Sequence, residues 1–106
     1  MFIINGEVWH LKIVSSFHPM LQRPDGNYAV GACDNVYKSI YLSEELYGKF
    51  FQTVLAHEIA HAAMLSYDIE LDSRTEELIA NLIANYGQEI ITITNKLFKN
   101  IQMGYL

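Results

Sequence analysis

Phe50-Phe51-Gln52-Thr53-Val54-Leu55-Ala56-His57-Glu58-Ile59-Ala60-His61-Ala62-Ala63-Met64-Leu65 is apolar, rich in alanine and free of proline and glycine, the composition of a helix. His57 and His61 stand four residues apart within it. At 3.6 residues per turn that spacing stacks both imidazoles on one face, one turn apart, so their nitrogens can converge on a single ion while Glu58 projects beside them. The pentapeptide alone could arise by chance; the helical, apolar setting is the context that the metal reading requires. Zn2+ is the expected cofactor. A zinc that does chemistry needs three protein ligands and an open position for water, with a carboxylate near enough to take the proton. His57 and His61 are therefore candidate metal ligands, and Glu58 is the candidate catalytic base.

Outward from this segment the chain divides into a strand-rich front and a helical rear. Val8-Trp9-His10-Leu11-Lys12-Ile13-Val14 alternates apolar and polar residues with the period of a half-buried strand. Ser15 to Asn27 holds both prolines and Asp25-Gly26, and reads as a loop. Tyr28 to Cys33 and Ser39 to Leu42 are short β-rich runs that suggest a hairpin. Ser43 before Glu44-Glu45 looks like a helix cap with acidic residues at the positive end of the dipole, so the first helix is expected from there to about Leu65, with Gly48 inside it. Ser73-Arg74-Thr75-Glu76 has the spacing of a capping box opening a second helix through Leu78, Ile79, Leu82, Ile83 and Tyr86. Gly87 is expected to break or bend it before a third helical stretch ending near Ile101, where Thr92 and Thr94 also fit a strand. The expectation is an α+β fold in one domain over residues 1–106: a short mixed or antiparallel sheet packed on the helix of the two histidines and on a second, glutamate-bearing helix.

Two histidines alone hold a metal weakly, so a third donor is needed. The extension H-E-x-x-H-x-x-G-x-x-H is absent, because Met64 and Tyr67 stand at its glycine and third histidine. Glu76-Glu77 follow instead, fifteen and sixteen residues after His61. The order of strand, H-E-x-x-H helix and glutamate-bearing helix resembles the gluzincin zincins, and the short length resembles their minigluzincin-like, phage- or prophage-type members. The resemblance spans about Tyr28 to Gln88 and is strongest in Thr53 to Ala62 and in Glu76-Glu77-Leu78-Ile79-Ala80-Asn81. Glu77 is preferred as third ligand. Glu76 is occupied by the capping box, whereas Glu77 shares a face with Ala80 and Ala84, small residues that would let this helix approach Ala56, Ala60 and Ala63. Glu76, Asp68 and Asp72 remain the alternatives. Asn81 sits where thermolysin-like gluzincins carry the acid that holds a zinc-bound histidine, so the resemblance implies that role for it.

The resemblance implies a zinc metallopeptidase that hydrolyses peptide bonds of a narrow peptide or protein substrate through metal-activated water. With 106 residues there is no second lobe and little chain for side-chain pockets, so the cleft is expected to be shallow. ImmA/IrrE-type peptidases, which cleave or regulate DNA-binding repressors, are similar in H-E-x-x-H context, and by analogy a regulatory protein partner is conceivable. The rival class is a non-enzymatic zincin-fold binding protein that retains zinc; an intact Glu58 counts against it. In zincins a strand beside the cleft binds substrate backbone, and Tyr28 to Cys33 and Ser39 to Leu42 are the two candidates here.

A net charge of −5, a pI near 5.2 and the lack of a Lys/Arg cluster argue against nucleic acid. A single cysteine, Cys33, allows no internal disulfide, and neither a leader nor a membrane-length apolar run is recognisable. The expected location is cytoplasmic, with no membrane partner. Cys33 reads as a small buried hydrophobe, and His10 and His18 lack ligand spacing. Tyr67, Tyr86 and Tyr105 are indistinguishable from packing residues, so none is assigned an oxyanion role.

Overall fold

Trp9 is fully buried, and its indole N–H donates to Ser66 Oγ at 2.8 Å, tying the second strand to the end of the first helix. The computed structural model describes residues 1–104. Its strands are β1 (Phe2–Ile4), β2 (Glu7–Val14), β3 (Gly31–Asp34) and β4 (Ser39–Ser43), followed by helices α1 (Gly48–Ser66) and α2 (Ser73–Gln102). The sheet order is β1-β2-β4-β3, with β2 and β4 parallel and the other pairs antiparallel, so the architecture is α+β on a mixed sheet. Trp9, Ile40, Leu42 and Ala62 form the core between this sheet and α1. Because α1 lies over β3 and β4 rather than β2, the alternation expected of β2 buries Trp9 but leaves Leu11 and Ile13 well exposed. On the opposite face the loop before β3, with a 3-10 turn at Pro19–Leu21, covers β4: Leu21 is buried and His18 stacks on Tyr41.

Strand β1 was not expected, although its signal is in the chain. Asn5-Gly6 supplies two consecutive positive φ angles, 49° and 76°, which close a tight hairpin onto β2. The helix starts need correction. Ser43 is not a helix cap: it ends β4, is buried, and its hydroxyl accepts from the Glu45 N–H to start a turn. Helix α1 begins only at Gly48, whose φ of 62° turns the chain into it, and no acidic residue occupies its first turn. Gly87 does not break the rear helix either. Helix α2 is continuous for 30 residues, since the ~1 kcal/mol cost of one glycine is small against the hydrogen bonds on either side.

The cap of α2 is Asp72, not Ser73. Its carboxylate accepts from the Thr75 N–H at 2.9 Å and from the Thr75 hydroxyl at 2.8 Å, and these bonds hold its pKa below the usual value. The cap is therefore intact above the ordinary Asp range and lost as pH falls through the depressed value. Asp72→Ala is expected to lower the thermal midpoint at neutral pH, by a margin that shrinks in strong acid, while Ser73→Ala leaves it nearly unchanged. Glu76, freed from any capping box, turns toward α1. No helix among the described residues is long and apolar enough to cross a membrane.

Candidate metal centre

Helix α2 runs back along α1, with Ala80 fully buried against Ala60 and Met64. This small-residue contact brings the helices close enough for their polar side chains to meet one turn away. His57 and His61 point their Nε2 atoms at each other across 3.1 Å. Glu77 Oε1 lies 2.8 Å from His61 Nε2 and 3.3 Å from His57 Nε2. The three ligand atoms fall within 4.8 Å of one another. Ligands about 2.0–2.1 Å from a tetrahedral zinc stand roughly 3.3 Å apart, so the triangle has the dimensions of one ion's shell.

Glu76 Oε2 sits 3.2 Å from His61 Nδ1. An ionised carboxylate can only accept, so a neutral His61 that donates from Nδ1 to Glu76 keeps its lone pair on Nε2, whereas a doubly protonated ring would donate to Glu76 and Glu77 alike. That lone pair faces the Glu77 oxygen and the second imidazole at hydrogen-bond distance. Such a set of acceptors repels unless a proton or cation lies among them, and the donor chemistry fits zinc. Asn81 does not take the supporting role expected of it. It is exposed, no hydrogen bond joins it to either histidine, and its backbone carbonyl accepts from Asn85; Glu76 holds the imidazole instead.

Glu58 is 6% exposed, and its Oε2 has no hydrogen-bond partner among the described residues. Burial raises its pKa, opposed by the His57 and His61 rings. An orphaned buried carboxylate oxygen is costly in a finished core and appropriate where a water or substrate is to be met. Glu58 and His57 line an open cleft of about 790 Å³ between α1, β3 and the Met20–Pro24 loop. Strand β4 lies inside the sheet and β3 at one of its two edges, so of the two candidate substrate strands the Tyr28 to Cys33 run has a free edge and the Ser39 to Leu42 run is excluded.

Gly31 in β3 is the residue that sequence reasoning passed over. A Cβ there would stand 2.9 Å from Val54 Cγ1, 3.1 Å from Glu58 Cγ and 3.2 Å from Leu42 Cδ2, so its absence lets the strand lie against Glu58. A glycine inside a strand pattern was the available signal. Gly31→Ala is expected to cost about 1–3 kcal/mol through overpacking and to displace Glu58 from the cleft. Thermal denaturation checks the first effect. Zinc affinity should change far less than stability, because none of the three atoms nearest this Cβ position belongs to His57, His61 or Glu77.

Cys33 borders a small cavity with Glu58, His61 and Glu76, and burial pushes its thiol up to about 12, leaving it protonated. His18 accepts from the Met20 N–H, His10 is exposed, and neither joins the cluster. Asp68 and Asp72 are also outside it. Tyr67 and Tyr86 are exposed, and Tyr105 lies outside the described residues. Comparison of the chain with protein-family models, curated proteins and solved structures finds no match.

Proposed function

We propose that this protein is a zinc-dependent peptidase of zincin-like type, in which His57, His61 and Glu77 hold the metal and Glu58 is the general base. The observation that carries this reading is the pairing of a converged three-ligand cluster with a buried, unpartnered carboxylate oxygen on the neighbouring residue. Zinc held there supplies Lewis acidity and lowers the pKa of a coordinated water. Glu58 takes a proton at its free oxygen and returns it to the leaving amine; the raised pKa set by burial suits both transfers. Glu76 fixes the orientation and tautomer of His61. The free edge of β3 offers backbone donors and acceptors to an extended peptide, and Gly31 keeps that strand close to the base. Glu58 also separates this reading from a binding protein that merely retains zinc, since a closed structural site has no use for an unpaired carboxylate beside it.

The test is hydrolysis of an unstructured protein mixture by the zinc-loaded chain, with the new termini read by mass spectrometry. Cleavage that stops on chelation, returns with zinc and is missing from Glu58→Gln supports the proposal. Equal cleavage by parent and Glu58→Gln would sink it.

A further inference from the structure

Helix α2 is 30 residues long, yet Ala80 is its only buried residue. At 1.5 Å per residue it extends about 45 Å, and it sets the long axis of a molecule measuring 56 × 30 × 28 Å. Ile83, Tyr86, Ile90, Ile93, Leu97 and Phe98 are each 45–59% exposed. The first five recur at spacings of 3, 4, 3 and 4, the seam of a coiled coil, and continue past the part of α2 that α1 accompanies. At roughly 100 Å² of uncovered surface apiece, the five seam side chains present on the order of 500 Å², against about 800 Å² per partner in a stable interface.

We propose that this seam is a homodimer interface in which α2 of a second copy packs antiparallel to the first. The flanking charges choose both occupant and direction. Taking Ile83, Ile90 and Leu97 as one core position of the heptad and Tyr86, Ile93 and Asn100 as the other, Glu89 and Lys96 fall on the same flank. In an antiparallel pair, Ile90 of one copy meets Ile93 of the other and Tyr86 meets Leu97, which sets Glu89 opposite Lys96 twice across the two-fold axis. A parallel pair would place Glu89 against Thr94 and Lys96 against Ile101, leaving both charges unmatched. A membrane surface is a poorer occupant, because the polar side of this stretch mixes Glu89 with Lys96 and Lys99 instead of presenting a basic face. Ile83, the seam residue nearest Glu77, lies six residues beyond it and about 120° around the helix, so the seam and the metal cluster occupy different faces of α2.

Sedimentation equilibrium of the full zinc-loaded chain tests this, with zinc stoichiometry and helix content as controls for folding. The parent is expected to dimerise in the micromolar range. Ile93→Asp should weaken association by about 30-fold or more. Lys96→Glu should weaken it about 5- to 10-fold, and adding Glu89→Lys to that variant should restore it. The exposed charge variants keep the test decisive if Ile93→Asp fails to fold. A parent that stays monomeric, including one that instead binds phosphatidylglycerol vesicles, overturns the proposal. So does a dimer indifferent to Ile93→Asp, or one that the double charge swap fails to restore.

Discussion

Glu58→Gln is expected to keep zinc at the parent's stoichiometry and to lose hydrolysis by at least 100-fold, the lower end of what a positioned base contributes. The amide preserves the shape of the side chain in its 6%-exposed niche and removes the only proton acceptor whose oxygen is unpartnered there. Folding should not suffer. Ionising a buried carboxyl costs free energy that a neutral amide avoids, so the thermal midpoint of Glu58→Gln is expected to equal or exceed the parent's. Activity and stability thus move in opposite directions, the mark of a residue kept for chemistry. A variant that loses zinc or stability together with activity would assign Glu58 a structural role instead.

The second large effect divides two adjacent glutamates. Glu77→Ala should reduce zinc affinity by more than about 100-fold, because it removes an atom 2.8 Å from one ligand nitrogen and 3.3 Å from the other. Glu76→Ala should reduce it by about 10- to 100-fold, since it removes the group that orients His61 and leaves the ligand atoms in place. Competition with a chromophoric chelator measures both. Equal affinities for the parent and Glu77→Ala would remove Glu77 from the proposed shell.

The legible parts of this chain were those governed by short-range geometry. The four-residue spacing of His57 and His61 depends only on the helical repeat, and α1 provides it; the β3–β4 hairpin likewise follows from residues within a few positions of one another. Helix ends were less legible. Ser43 and Ser73 both resemble caps locally, but burial at the end of β4 claims the first and Asp72, one residue earlier, outcompetes the second. Asn5-Gly6 shows the converse, a strong local turn signal that does close a hairpin.

What the sequence by itself determined is the α+β character of the chain, the pairing of two imidazoles with a neighbouring carboxylate on one helix, and a glutamate pair opening the next. Only the tertiary structure decided how the two glutamates divide. The Ala60–Ala80 contact fixes how α2 is rotated against α1, which swings Glu77 onto both histidine nitrogens and Glu76 onto the back of His61. It also decided that β3, with Gly31 against Glu58, forms the free edge at the cleft. The physical reason is the same in each case: rotation between packed helices and strand order in a sheet are set by contacts between residues far apart in the chain, which local spacing does not encode.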